Sequence, residues 1–170
     1  MPLSPNTQEP PTGSDGPLAD VVRFCSRCGR HAHEVPGRPE LRRRVCVHCG
    51  MGVVLTSSGD ALPGAQAPFL IVASDLTVTA VSEAGEKVFG PEEDVVGAGL
   101  LDLLSSPLGD DQLERRARRA AQLRSETVAL PVRLRPEQAP RMGTLSARIA
   151  TCASPRAALV SVEPSGFGLR

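Results

Sequence analysis

Four cysteines in two matched pairs constrain this chain more than any other feature. Cys25-Ser26-Arg27-Cys28-Gly29 and Cys46-Val47-His48-Cys49-Gly50 are one device written twice, with residues 29–45 between the pairs. Two residues between cysteines let a single tight turn aim both sulfurs at a common point. The glycine after each pair supplies the positive φ that such a turn often requires. Two such knuckles at this separation deliver four thiolates, the donor set of a tetrahedral Zn²⁺. The predicted metal ligands are therefore Cys25, Cys28, Cys46 and Cys49. A closed four-thiolate shell leaves no position for water or substrate, so the ion is expected to be structural, folding a segment too small to hold itself together.

Three other uses of the thiols compete with this one. A thioredoxin-like redox site needs one such motif at a helix start in a βαβ context, and neither pair precedes a helical pattern. Iron in a rubredoxin-like site takes the same ligands, but that family's aromatic packing is missing from a chain with four Phe and neither Trp nor Tyr. Disulfides suit secreted proteins. The opening residues carry neither a basic nor an apolar leader pattern, so a reducing cytoplasmic location is expected. His31, His33 and His48 lie close by and are read as surface or metal-adjacent imidazoles rather than ligands. The arms His31–Val35 and Leu41–Val45 flank Pro36-Gly37-Arg38-Pro39 and predict a hairpin that brings the knuckles together. Over residues 21–57 this pattern resembles a zinc ribbon, with Val53-Val54-Leu55 adding a third strand.

The chain has 170 residues, 41% of them hydrophobic, which is material for one modest domain or two small ones and excludes large catalytic frameworks. Lys+Arg and Asp+Glu both total 19, so no overall field steers the molecule toward nucleic acid or a membrane. The neutrality conceals blocks. Residues 21–50 hold seven Arg against two acids, residues 51–108 one Lys against eight acids, and residues 109–170 eleven Arg against six acids. A stacking platform for single strands is disfavoured when every aromatic is Phe. No apolar run approaches the roughly 20 residues that span a bilayer.

Composition divides the rest. Residues 1–20 are proline-rich with few apolar groups and are expected to be a disordered tail. Residues 58–66 read as a linker punctuated by Gly and Pro, and residues 165–170 as a second tail. Between them, Phe69-Leu70-Ile71-Val72-Ala73 is a continuous apolar run, the mark of a strand buried on both faces. An Asp75 turn leads to a strand at Thr77–Val81. Ser82 is the predicted N-cap of a helix from Glu83 to Phe89 closed by Gly90. Pro91-Glu92-Glu93-Asp94 opens a short helical turn, and Leu100, Leu101, Leu103 and Leu104 form an apolar cluster. From Asp110 a helix places Leu113, Ala117, Ala120 and Ala121 on one face, with Arg115, Arg116, Arg118 and Arg119 opposite. Three strands follow, around residues 127–134, 144–152 and 157–163.

That order resembles a PAS domain over residues 67–164. The resemblance implies a five-stranded antiparallel sheet with short helices on one face, and Pro131 on an edge strand where a missing donor is tolerable. The expected fold class is thus α+β, a small β zinc ribbon plus a PAS-like sheet. It also implies sensing of a small molecule, light, oxygen or redox state, or pairing with a second module. Every His lies in the ribbon segment, so haem is not expected. Cys152 falls in a late strand rather than in the helical region that carries the flavin-reactive thiol of the LOV subgroup, so no covalent flavin is expected either. Cys152 reads as a small buried residue, and a filled core is expected over a pocket for a small apolar ligand.

No Walker loop, catalytic triad, kinase set or cyclase signature appears, so no enzyme and no catalytic residues are expected. The leading expectation is a small cytoplasmic signalling or regulatory adaptor. Its structural zinc ribbon would be coupled to a PAS-like sensory or dimerisation module that binds a protein partner or its own copy. The alternative is a nucleic-acid or transcription-machinery binder using Arg23, Arg27, Arg30, Arg38, Arg42, Arg43 and Arg44, extended by the Arg face of residues 115–119. Four thiolates and Zn²⁺ contribute −2, which lowers residues 21–50 from +5 to about +3. A thiol redox enzyme is the least favoured reading.

Overall fold

The computed structural model describes residues 21–32, 44–61, 64, 66–122, 126–135 and 143–165. The expected tail at 1–20, residues 166–170 of the second tail, the hairpin turn 36–39 with residues 33–35 and 41–43 of its arms, and linker residues 62, 63 and 65 lie outside them.

Strands dominate the fold. In chain order the elements are β1 Val21–Cys25, β2 Val54–Ser58, a 3₁₀ turn Gly59–Ala61, β3 Phe69–Val72, β4 Val78–Val81, α1 Glu83–Phe89, α2 Glu92–Val95, α3 Leu100–Leu103, β5 Leu104–Ser105, α4 Asp110–Gln122, β6 Val128–Leu134, β7 Leu145–Ala153 and β8 Ala157–Pro164. The strands form one eight-stranded sheet in the order β1-β2-β7-β8-β3-β4, with β6 also on β7 and β5 on β6. Every pairing is antiparallel.

This corrects the expected fold class. A separate small ribbon beside a PAS-like five-stranded sheet is not what the chain builds; the protein is mostly β, with a single sheet running through both parts. The join is at β7, whose long edge is shared. Residues 145–149 pair with β6, while Cys152 and Ala153 pair with Ser57 and Thr56 of β2. Thr56 Oγ1 donates to the Ala153 carbonyl at 2.8 Å and Ser57 Oγ to that of Thr151 at 2.9 Å. Pro131 pairs with Ser146 of β7 on one side, and the two-residue β5 reaches only Arg133 and Leu134 on the other, so among the described residues Pro131 itself has no strand on its second side.

Alternation along the strands explains why one sheet needs two covers. On β3, Leu70 and Val72 enter one apolar cluster, while Phe69 and Ile71 enter another. On β8, Ala158, Val160 and Val162 join the first cluster, and Ala157 and Leu159 join the second. The first is closed by the helices, with Phe89, Val95, Leu100, Leu103, Leu113, Ala117, Ala120 and Ala121 packed onto it. The second is closed by Phe24 of β1 and Leu55 of β2. Phe24 is fully buried and meets Phe69 edge-on, with ring centroids 5.8 Å apart and planes at 79°, a geometry worth about 0.5–1.5 kcal/mol beyond area burial. The expected burial of β3 on both faces therefore holds, and the β1–β2 hairpin provides the second cover.

Local signals produced the helices. Ser82 caps α1, its Oγ accepting from Gly85 N–H at 3.0 Å, and the same oxygen accepts from Phe69 N–H across the core. In α4 the buried positions are Leu113, Ala117, Ala120 and Ala121, the face expected from the 3.6-residue period. Among the described residues no helix is long and apolar enough to cross a membrane.

Candidate metal centre

β1 runs directly into the first knuckle. Its last residue is Cys25, so the sheet fixes the first sulfur. The chain then turns, with Gly29 N–H donating back to the Cys25 carbonyl at 3.1 Å and Gly29 at φ 67°. The second knuckle repeats this, with Gly50 N–H on the Cys46 carbonyl at 3.0 Å and Gly50 at φ 70°. Both glycines occupy the left-handed region that the sequence pattern requires. Within the second knuckle Cys46 N–H bonds the Gly52 carbonyl and Val54 N–H that of Arg44, and the first knuckle is joined to it by Ser26 N–H on the Val53 carbonyl. Ser26 Oγ in turn accepts from Val53 N–H at 3.0 Å.

The four sulfurs converge. All lie within 4.8 Å of one another, with Cys25 Sγ 3.6 Å from Cys49 Sγ and Cys28 Sγ 3.8 Å from Cys46 Sγ. A tetrahedron with Zn–S bonds of about 2.3 Å has edges of about 3.8 Å. The cluster thus has the size, donor type and number to hold one tetrahedral metal ion, and structural zinc is compatible with it. Cys25 and Cys46 are buried and Cys28 and Cys49 half-buried. Main-chain N–H groups point at the sulfurs, from Arg27 and Cys28 to Cys25 at 3.4 Å, from His48 to Cys46 at 3.4 Å and from Gly52 to Cys49 at 3.3 Å. Such donors favour the thiolate form.

The metal-free thiols are not equivalent. Burial pushes Cys25 up to about 12, outweighing the N–H groups of Cys28 and Arg27. Burial also raises Cys28. At Cys49 burial opposes ionisation, but the N–H groups of Met51 and Gly52 with the thiols of Cys25 and Cys46 prevail and bring it down to about 6.

Two residues that the sequence reading passed over shape the centre. Gly52 is buried, and a Cβ built there would lie 2.2 Å from Cys25 Sγ, so only glycine lets the second knuckle close on the first. The repeated glycines of Cys49-Gly50-Met51-Gly52 were the available signal. Arg27, counted before only as a charge, fastens the first knuckle to the helices. Its guanidinium pairs with Glu92 and, at 3.5 Å, with Glu86, and its carbonyl accepts the Glu83 N–H that begins α1 at 2.8 Å. The hydrogen bond that Arg27 donates to Glu92 does most to push its guanidinium above the usual range.

The remaining candidates fall elsewhere. His31 bridges to Phe24 beside β1 and His48 is exposed within its knuckle; neither joins the sulfur cluster. His33, Arg38, Arg42 and Arg43 lie outside the described residues. Arg30 and Arg44 are exposed. On α4, Arg115 pairs with Asp111 at 2.8 Å and Arg118 with Glu114 at 2.9 Å. Cys152 is 1% exposed inside the second apolar cluster, where burial pushes its thiol up to about 12. Comparison with protein-family models and with curated proteins finds no match to this chain.

Proposed function

We propose that this chain is a small regulatory adaptor acting by contact, in which one structural Zn²⁺ bound by Cys25, Cys28, Cys46 and Cys49 locks the β1–β2 hairpin onto the back of the sheet. The observation that carries the reading is the position of the cluster. It lies at the end of the strand whose Phe24 closes the second apolar face, and Arg27 ties the same knuckle to α1 and α2. Four thiolates complete a tetrahedral shell, which leaves the ion a folding role rather than a substrate site. Binding of this kind contributes on the order of 10–16 kcal/mol in small zinc domains, enough to hold a two-stranded hairpin that is marginal on its own.

A contact role is favoured over nucleic-acid binding by the placement of the arginines. Among the described residues α4 packs with the first apolar cluster and β1 and β2 with the second, and Arg27 of the first knuckle is paired with Glu86 and Glu92, which supports reading the α4 arginines and the knuckle arginines as separate groups. Two of the four α4 arginines already carry helix acids as partners. Native mass spectrometry of the full chain isolated from its host tests the proposal: it predicts one zinc per chain and a stoichiometric protein partner or second copy. A mass equal to the metal-free monomer contradicts it.

A further inference from the structure

The second knuckle has an outer face that the metal does not use. Residues 45 and 53 are bridged antiparallel, and Cys46 N–H bonds the Gly52 carbonyl between them and the turn, so side chains alternate across this small hairpin. Cys46 and Gly52 are buried on the inner side, toward the sulfurs. Val45 and Val53 take the other side, and with Val47 and Met51 of the intervening turn they are 52%, 43%, 63% and 69% exposed. Four large exposed apolar side chains within the nine residues of one knuckle form the kind of patch that marks an interaction site, whereas singly scattered apolar residues do not. In the same hairpin the sulfur side is closed and the outer side is left open.

Charge selects the occupant. Exposed Arg44 borders the patch and follows Arg42 and Arg43 in the chain. With seven Arg, two Glu and the −2 of a bound tetrathiolate centre, residues 21–50 keep a net charge of about +3. We infer that Val45, Val47, Met51 and Val53 form the docking face for an acidic segment of a partner protein that carries its own apolar side chains. The apolar groups supply the contact, and exposed Arg44 with the net positive charge of the segment selects against basic partners. This rests on the adaptor reading and names the chemistry of its partner.

The probe is a pair of synthetic amphipathic peptides of one apolar pattern, the first with Asp and Glu at its polar positions and the second with Lys. Each is titrated into the zinc-loaded, ¹⁵N-labelled full chain, with a short DNA duplex as a third titrant. The acidic peptide is expected to shift the amides of residues 44–54 and to bind at least tenfold more tightly than the Lys peptide. Val47→Asp with Met51→Asp, both on the exposed side, is expected to abolish the shifts while zinc content stays at one per chain. Equal binding of the two peptides, shifts confined to another surface, shifts at the patch caused only by the duplex, or shifts appearing only with protein concentration would each overturn the inference. If a partner accompanies the chain from its host yet the acidic peptide leaves residues 44–54 unmoved, this docking face fails and the adaptor reading stands; if none accompanies it, the adaptor reading itself fails.

Discussion

At the scale of single residues, the knuckles work because small and polar main-chain groups surround the sulfurs. Gly52 is the tightest case. Adding a methyl group there sets a carbon 2.2 Å from Cys25 Sγ, and the neighbouring Arg27 backbone at 3.0 Å gives it nowhere to go. Gly52→Ala is expected to lower stability and metal retention by about 1–3 kcal/mol, the usual cost of overpacking. A competing chelator measures this, and unchanged retention would refute the close approach. The thiols supply the pH dependence. Each ligand that must lose a proton lowers apparent metal affinity about tenfold per pH unit below its own pKa. Above about 6, Cys49 has already lost its proton and adds nothing to the slope, whereas Cys25 and Cys28, raised by burial, still compete. Below about 6 Cys49 takes up its proton as well. The logarithm of metal affinity against pH is therefore expected to steepen by about one proton on crossing pH 6, as read by metal release in stepped buffers. A constant slope from pH 7.5 to 5 would refute the low Cys49 value.

At the scale of elements, the β1–β2 hairpin is held by Phe24 and Leu55 in the second cluster, by pairing of β2 with β7 and by side-chain bonds. Phe24→Ala removes a fully buried ring from the second cluster and is expected to cost about 3–5 kcal/mol, measured by denaturant unfolding of the metal-loaded protein. A loss under 1 kcal/mol would mean that the hairpin does not cover that face. Much of the element pattern is legible in the sequence because its causes are local. The knuckle glycines, the Ser82 cap, the apolar face of α4 and the uniform burial of Phe69–Val72 all follow from spacing and residue type. The two missing pieces have non-local causes. β1 is short and follows a stretch with no strand signal, so only its pairing with β2 defines it. The β2–β7 join depends on Thr56 and Ser57 reaching carbonyls at residues 153 and 151; two polar residues at the end of the ribbon segment give no sign of that partner. The expected division into a ribbon and a separate five-stranded sheet came from treating the Gly- and Pro-punctuated residues 58–66 that follow as a boundary.

At the scale of the whole molecule, the sheet has two apolar faces, one covered by helices and the other by the β1–β2 hairpin that carries Cys25. On the proposed reading, metal binding is a condition for closing the second face, which extends to β3, β7 and β8. Cys152 reports on this from a distance. It belongs to β7 and is no part of the sulfur cluster, yet it is buried within the second apolar cluster and pairs with Ser57 of β2. The most direct measurement is the alkylation rate of Cys152, followed by peptide mass spectrometry on the full chain with and without a chelator. The account predicts a rate at least tenfold higher once the metal is removed, as the hairpin lifts from the sheet; the same slow rate in both states would contradict it.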